Sequence, residues 1–210
     1  VTHDIDLVLV NPNSRARAYQ QLGTELSAVE PPVWAGLMAS FVLRRDFSVA
    51  IIDAEAEGLT ADETAARALE HRPLLTAIVA YGHQPSASTQ VMPAAGEVCA
   101  ALKEQVPERR VILVGGHVAA LPGRTLEEER VDFVCRGEGP HTLVDLLQVL
   151  DAGSRDWSMV RDLMWLDEDA VLCGGPSAPL VTDLDVDVGG PAWDLLPMDK
   201  YRAHNWHSWA

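Results

Sequence analysis

The sequence is poor in cysteine, and its three cysteines, Cys99, Cys135 and Cys173, lie far apart along the chain. No CxxC or CxxxCxxC spacing occurs, so these residues build neither a zinc site nor an iron–sulfur site on their own. Cys99 and Cys135 fall within apolar periods, which predicts that they are small residues of the core. We expect no metal ligands in this chain.

Basic residues are also scarce. The chain has 16 Lys and Arg against 31 Asp and Glu, a formal net charge of −15. Because clustered Lys and Arg hold nucleic acids and anionic membrane surfaces, neither is an expected partner. Nothing approaches the ~18 consecutive apolar residues that indicate a membrane span. The first residues carry neither a basic patch nor an apolar signal region, so we expect a cytoplasmic protein.

What the sequence does contain is a regular alternation of strand and helix patterns. Short apolar, β-branched runs predict five strands, at residues 6–10, 49–52, 74–80, 111–114 and 133–135. Helical patterns lie between them, and one helix opens with the capping-box residues Thr60 and Glu63. The fold class is therefore α/β. We predict a flavodoxin-like (Rossmann-like), doubly wound parallel sheet of five strands in the order 2-1-3-4-5.

Three helical segments carry more specific expectations. After two prolines, apolar residues recur at helical spacing and predict a face packed on the sheet, namely Val33, Trp34, Leu37, Met38 and Phe41. In the helix after the third strand, Pro93 fits only within the first turn. A short acidic helix is predicted at residues 126–130, with Thr125 as its cap candidate.

The character of the chain changes after residue 153. Apolar runs at residues 163–166 and 170–172 flank an acidic turn and predict a hairpin. Residues 176–210 show no helical or strand period, although they include Trp193, Trp206 and Trp209, and we expect this connector to pack on a partner surface. The predicted division is an α/β domain at 1–153 and a hairpin with an irregular connector at 154–210. His204 and His207 are an isolated pair that lacks the remaining ligands of a metal site.

Glycines and polar residues cluster where three of the predicted strands end. Gly115 and Gly116 follow the fourth strand, Gly137 and Gly139 follow the fifth, and a polar loop at residues 81–89 follows the third. Ligands of open α/β sheets bind outside the carboxyl ends of the strands. A glycine there allows close approach of the backbone because it has no Cβ. The sequence therefore predicts a ligand site at this edge.

Several ligand classes for such a fold are excluded by the loops themselves. Asn11 and Tyr81 stand in places where a phosphoacceptor domain needs carboxylates, and the first loop offers only Ser14 for a flavin phosphate. No GxGxxG motif follows the first strand, and no GxSxG elbow is present. Arg15, Arg17 and Tyr19 either contact a polar ligand edge or lie in a solvated loop. What remains suits a large flat ligand across the strand ends, with an arm reaching the sheet edge.

The loops together resemble the cobalamin-binding domain that precedes the catalytic barrel in cobalamin-dependent radical SAM enzymes. The matching pieces are Asn11-Pro12, the Pro-Pro-x-x-x-Gly-Leu run at 31–37, Asp53-Ala54, Gly115-Gly116-His117 and Arg136-Gly137-Glu138-Gly139. The segment at 183–201, which ends at Tyr201, is similar to the connector that leads into the barrel. The resemblance covers nearly the whole chain. Pro140 departs from it, because a second acidic residue is frequent at that position.

The resemblance implies that a corrin lies on the strand ends, with its nucleotide tail beside the sheet. The cofactor-binding residues that it implies are Asn11, Pro12, Tyr81, Gly82, His83, Gln84, Ser86, Ser88, Thr89, Gly115, Gly116, His117, Gly137, Glu138 and Gly139. The Asp-x-His-x-x-Gly motif that supplies a cobalt ligand in other cobalamin domains is absent after the first strand. Binding is therefore expected to be base-off without a histidine ligand, with His83 and His117 in hydrogen-bonding roles.

The function implied is that of the amino-terminal part of a radical SAM enzyme, a methyltransferase in which methylcobalamin delivers a methyl group to a substrate radical. The [4Fe–4S] cluster and S-adenosylmethionine would belong to the barrel, a partner in cis that this chain lacks. No residue of this chain is expected to be catalytic. The alternative is a non-catalytic interaction module of the same fold without cobalamin. The small subunit of an isomerase is disfavoured by the missing histidine motif.

Overall fold

The computed structural model describes residues 3–15, 28–82 and 87–203. Within these residues seven strands form one sheet: β1 Ile5–Asn11, β2 Val49–Asp53, β3 Pro73–Val79, β4 Arg110–Val114, β5 Phe133–Cys135, β6 Leu163–Leu166 and β7 Leu172–Gly174. Their order is β2-β1-β3-β4-β5-β6-β7. The first five strands are parallel, which confirms the predicted fold class and the order 2-1-3-4-5. The hairpin β6–β7 joins the same sheet through an antiparallel pairing with β5.

Helices cover both faces of this sheet. They are α1 Val33–Leu43, α2 Ala54–Glu57, α3 Ala61–Glu70, α4 Ser88–Gln105, α5 Gly116–Ala120, α6 Pro122–Glu128, α7 Pro140–Asp151 and α8 Leu184–Asp187. The capping box of α3 is confirmed, because Thr60 accepts from the Glu63 backbone N–H while the Glu63 carboxylate accepts from that of Thr60. Among the described residues, no helix combines the length and apolar character needed to cross a bilayer.

Side-chain alternation along the central strand divides the core into two layers. In β1, Leu7 and Leu9 pack on the face that also carries α1 and α7, whereas Val8 and Val10 pack on the face that carries α3 and α4. All four are fully buried, as expected for a parallel strand covered on both faces. Cys99 and Cys135 are buried as predicted. Burial raises the pKa of both thiols, that of Cys135 to about 11.

Three local predictions are wrong. Helix α4 begins at Ser88, so Pro93 lies beyond the first turn. Proline has no N–H to donate to the Thr89 carbonyl, but Thr89 is exposed, so water can donate to that carbonyl instead. The acidic helix begins at Pro122, and Thr125 lies inside it, with its hydroxyl donating to the Leu121 carbonyl at 2.9 Å. The second hairpin strand starts only at residue 172, because the backbone turn at 167–171 is bonded to the Asp167 carboxylate.

Connector residues 187–192 lie against α1 and the residues directly after it. The Ala192 N–H donates to the Gly36 carbonyl at 3.1 Å, and Arg45 forms an ion pair with Asp187 at 3.0 Å. A Cβ on Gly36 would lie 2.8 Å from the Cβ of Pro191, so glycine permits this close approach. The predicted boundary at residue 153 stays a prediction, and Trp206, Trp209 and the two predicted histidines of the tail lie outside the described residues.

Candidate functional site

The carboxyl ends of the five parallel strands form one edge of the sheet, and its β1–β2 side is built around Asp53. Asn11 and Asp53 are paired across the two strands, and the Asn11 Nδ2 donates to Asp53 Oδ1 at 2.8 Å. Asp53 also caps α2, because the same oxygen accepts from the Ala56 N–H at 3.1 Å. Pro12, the next predicted residue, is buried directly after β1. The asparagine side chain is therefore held in place by a buried carboxylate.

In the middle of the edge, the loops after β3 and β4 are joined by three side chains. The buried Ser88 hydroxyl donates to the Ala80 carbonyl and accepts from the His117 backbone N–H at 3.1 Å. Thr89 Oγ1 and His117 Nδ1 are 3.0 Å apart. The structure thus brings together Ser88, Thr89 and His117, and His117 hydrogen-bonds to the neighbouring helix α4. A hydrogen-bonding role was expected for His117, towards either a ligand amide or a neighbouring loop, and its role towards a ligand stays a prediction.

The glycines at this edge are required first by the protein's own packing. A Cβ on Gly115 would lie 2.3 Å from the Ala80 carbonyl oxygen, and one on Gly82 would lie 2.4 Å from the Cβ of Ala87. Gly139 has φ +105°, in the region that favours glycine, and a Cβ there would meet Val114 at 2.9 Å. The close approach predicted for a ligand is made at these positions by neighbouring protein segments.

A cleft of about 230 Å³ lies over the end of β5. Its lining comprises Tyr81, Ala119, Arg136, Gly137, Glu138, Gly139, Pro140, His141, Thr142, Asp162, Ala178, Pro179 and Leu180. The charged groups of this wall have partners: Arg136 pairs with Asp162, and Glu138 accepts from the Val181 N–H at 3.0 Å. The cleft therefore offers aromatic and aliphatic surface between charges that are already paired.

The outer wall of the cleft, residues 178–180, was missed by sequence reasoning. These residues follow β7 and are held over β5 by hydrogen bonds from the Ala178 N–H to Asp162 at 3.1 Å and from the Val181 N–H to Glu138. The segment has no period, and only its contacts with the two carboxylates place it. The only sequence signal for this wall is weak: two acidic residues, Glu138 and Asp162, and a proline-containing loop that follows them in the chain.

An aromatic pair borders the same region. The rings of Trp34 and Tyr81 stack with centroids 5.0 Å apart and planes at 26°. Burial raises the pKa of Tyr81 to about 12, and the charges of Cys135 and Glu138 act in the same direction. Trp34 and Val33 are each 42% exposed, so the prediction that they belong to the buried face of α1 is wrong. Helical spacing shows which side of a helix is apolar, but it does not show that the first turn extends beyond the sheet and leaves its apolar side chains exposed.

Most of the predicted site residues lie at this edge. The structure joins Ser88, Thr89 and His117, places Asn11 with Asp53, and puts Tyr81 with the Gly137–Gly139 loop in the cleft. Three predicted residues, His83, Gln84 and Ser86, lie outside the described residues, as do Arg17 and Tyr19. Within residues 3–15, 28–82 and 87–203, no group of three or more His, Cys, Asp or Glu is arranged to hold a metal ion.

A doubly wound sheet with glycine-rich loops and a cleft at its carboxyl edge is the architecture of a cofactor-binding α/β domain. The sequence profile of the B12-binding domain matches residues 20–147 of this chain. That stretch contains the loops after β2, β3, β4 and β5, whereas the loop after β1 and the cleft wall at residues 178–180 lie outside it. The chain belongs to the B12-binding domain family, and the predicted resemblance to cobalamin-binding domains is confirmed.

Relatives with similar sequences are considerably longer proteins. An uncharacterized methyltransferase of Pyrococcus horikoshii is 32% identical over 199 residues, which are 94% of this chain and 40% of the relative. An anaerobic magnesium-protoporphyrin IX monomethyl ester cyclase of Synechocystis is 30% identical over 173 residues, which are 81% of this chain and 33% of the relative. The chain thus spans 40% or less of the length of these two proteins.

Two solved structures share the fold. The radical S-adenosylmethionine methyltransferase TsrM from Kitasatospora setae, with cobalamin and a [4Fe-4S] cluster bound, aligns with a TM-score of 0.62 and 16% identity over 84% of this chain and 30% of that one. The cobalamin-dependent S-adenosylmethionine radical enzyme OxsB aligns with a TM-score of 0.67 and 15% identity, over 91% of this chain and 24% of that one. At these identities the likeness shows the fold.

Proposed function

We propose that this chain binds cobalamin base-off and serves as the cofactor domain of a cobalamin-dependent radical SAM enzyme, a methyltransferase. The observation that carries the proposal is the match of the B12-binding domain to residues 20–147, on a sheet whose carboxyl edge has the loops described above. The methyltransferase among the relatives supports the class of reaction. The division into a cobalamin domain at 1–153 and a connector at 154–210, and a location in the cytoplasm, are parts of the same proposal.

The chemistry of the edge fits this cofactor. In the proposal the cobalamin is held by the predicted cofactor-binding residues, which are Asn11, Pro12, Tyr81, Gly82, His83, Gln84, Ser86, Ser88, Thr89, Gly115, Gly116, His117, Gly137, Glu138 and Gly139. The cleft over β5 is below the ~300–1,000 Å³ of a pocket for a complete small ligand, so it suits one arm of a larger molecule. Tyr81, Pro140 and Leu180 give it the aromatic and aliphatic surface that a planar base prefers.

The histidines described at this edge already have structural partners. His117 is bonded to Thr89, and His141 packs edge-on against Phe41 with centroids 5.1 Å apart. Burial, together with the charges of Arg161 and Arg45, lowers the pKa of His141. These contacts give His117 and His141 roles within the protein, while His83 lies outside the described residues.

Bound cobalamin supplies the transferable methyl group, and the protein supplies its orientation and surroundings. In the proposal the [4Fe–4S] cluster and S-adenosylmethionine belong to a radical SAM barrel in cis, which the tryptophan-rich tail contacts. The residues of this chain act by seating the cofactor: the bonds among Ser88, Thr89 and His117 hold two loops at a constant separation. Asp53 does the same for Asn11.

The test is a visible spectrum of the 210-residue chain after incubation with hydroxocobalamin and desalting. We expect retained corrin absorbance with close to one cobalt per chain, and a spectral shape typical of the base-off form. Ala119→Trp, which places a large ring in the cleft, should abolish retention. Ala120→Trp is the matched control, because Ala120 is the next residue of α5 and is exposed outside the cleft lining.

A wild-type protein that is folded by circular dichroism and colourless after desalting would overturn the proposal. The interaction module without cobalamin would then be the better description. Equal retention by Ala119→Trp and Ala120→Trp would place the cofactor away from this cleft.

A further inference from the structure

Asp53 is a carboxylate that is only 1% exposed, and its partners come from three separate parts of the chain. Its Oδ1 accepts from Asn11 Nδ2 at 2.8 Å and from the Ala56 N–H at 3.1 Å. Its Oδ2 accepts from the Tyr201 hydroxyl at 2.8 Å. A buried carboxylate requires such donors because it has lost its hydration. Tyr201 therefore completes the environment of Asp53 from a position 148 residues further along the chain.

The backbone on either side of Tyr201 is held as well. The Val29 N–H donates to the Arg202 carbonyl and the Arg202 N–H donates to the Val29 carbonyl, both at 2.9 Å. Val29 is buried just before α1, so the end of the connector is joined both to this segment and to the β1–β2 edge. Burial and the Asp53 charge raise the pKa of Tyr201, so the phenol remains a donor at neutral pH.

We infer that Tyr201 is a positioning residue that fixes Asp53, and through it the Asn11 amide at the cofactor edge, so that docking of the connector and binding of the cofactor are coupled. The coupling to the cofactor rests on the proposed function. Because coupling between two sites is reciprocal, cobalamin should tighten the connector by the same factor by which the connector tightens cobalamin.

Other contacts hold the connector without reaching the cofactor edge. Arg45 pairs with Asp187, and Arg44 donates to the Val188 carbonyl at 2.9 Å. Both arginines follow directly after α1, and neither contact involves Asn11 or Asp53. Loss of one of these contacts loosens the connector but leaves Asn11 in place, so Asp187→Asn is a matched control for Tyr201→Phe.

The experiment compares wild type, Tyr201→Phe and Asp187→Asn in hydroxocobalamin titrations and in limited trypsin cleavage with and without hydroxocobalamin. Trypsin reports on this contact directly, since Lys200 and Arg202 flank Tyr201 and are both exposed. We expect Tyr201→Phe to weaken cobalamin binding about tenfold, as for a lost hydrogen bond to a charged group. Cobalamin should slow cleavage at these two residues in wild type by a similar factor, and much less in Tyr201→Phe.

Asp187→Asn should change the cobalamin affinity by less than twofold. Unchanged affinity in Tyr201→Phe, or equal protection by cobalamin in wild type and Tyr201→Phe, would overturn the inference and leave Tyr201 as a simple tether. A wild type that binds no cobalamin would defeat the proposed function instead. The positioning role can then be tested in the ligand-free protein by the NMR signals of the Asn11 side-chain amide. These signals should shift in Tyr201→Phe and stay unchanged in Asp187→Asn. Unchanged signals in Tyr201→Phe, or an equal shift in Asp187→Asn, would refute the positioning role.

Discussion

Trp34, in the first turn of α1, stacks on Tyr81, two residues beyond the end of β3, with ring centroids 5.0 Å apart. The contact links the helix that carries the connector to the loop that enters the cleft. Tyr81 lines the cleft, whereas Trp34 does not, so Trp34 acts on the cleft through the tyrosine ring. The pair supports the wall of the cleft; apolar periodicity had assigned Trp34 to the core, whereas Tyr81 was predicted to bind the cofactor.

Removal of this support should weaken cobalamin binding more than it weakens the fold. Aromatic pairs contribute about 0.5–1.5 kcal/mol, so we expect Trp34→Ala to raise the dissociation constant of hydroxocobalamin roughly two- to tenfold. Trp193→Ala is the control, because Trp193 is also 42% exposed and lies outside the cleft lining. Absorbance titrations with each variant measure the effect. Equal affinities in the two variants would contradict the supporting role of Trp34.

The Tyr81 phenol should ionise only in strongly alkaline solution. Burial raises its pKa from 10.0 to about 12, because the phenolate is disfavoured in the folded state. The corresponding stability is fully present below pH 10.0 and is lost as the pH rises towards about 12. The difference in phenolate absorbance between wild type and Tyr81→Phe gives this titration, and denatured wild type is the control. A Tyr81 midpoint near 10.0 in the folded protein would refute the prediction.

The contact between Gly115 and Ala80 should not tolerate a methyl group. Gly115 has an extended backbone that any residue adopts, so the obstacle to Gly115→Ala is the Ala80 carbonyl oxygen, 2.3 Å from the new Cβ. Overpacking of this kind costs about 1–3 kcal/mol of unfolding free energy, measurable by urea denaturation. In Gly123→Ala the new Cβ meets only the end of the Leu172 side chain, at 3.2 Å, so little change is expected. Similar losses in both variants would rule out the carbonyl contact as the cause.

At the opposite edge of the sheet, Asp132 holds two cations. Its carboxylate accepts from Lys103, from Arg110 at 2.8 Å and from the Val111 N–H at 2.8 Å, and the Lys103 and Asp132 side chains are 15% and 14% exposed. Asp132→Ala leaves a largely buried ammonium without its carboxylate, and we expect the unfolding free energy to fall by about 3 kcal/mol.

The matched control for Asp132→Ala is Glu128→Ala, which breaks an exposed ion pair with Arg124 at 2.7 Å. Exposed pairs of this spacing contribute about 0.3–0.5 kcal/mol, and salt removes most of that. Urea denaturation at low and high salt separates the two cases. A loss below 1 kcal/mol in Asp132→Ala would mean that the Pro107 and Arg109 carbonyls, which also accept from Lys103, suffice for its ammonium group.

Much of the fold could be predicted from local patterns, because each pattern carries its own physical cause. Leu7 and Leu9 alternate with Val8 and Val10 and pack on opposite faces, as the two-residue period of a strand requires. Some local signals were misleading even over a few residues. Thr125 is a residue type that often caps a helix, yet it lies inside α6, where its hydroxyl donates to the Leu121 carbonyl.

The sequence alone therefore determined the order of elements, the edge that carries the loops and the family to which those loops belong. Only the tertiary structure decided how the edge is built: that Ala80 fills the space beside Gly115, that residues 178–180 close the cleft and that Tyr201 reaches Asp53. The physical reason is separation along the chain. Periodicity and capping act over a few residues, whereas Tyr201 and Asp53 meet across 148 residues through the packing of everything between them.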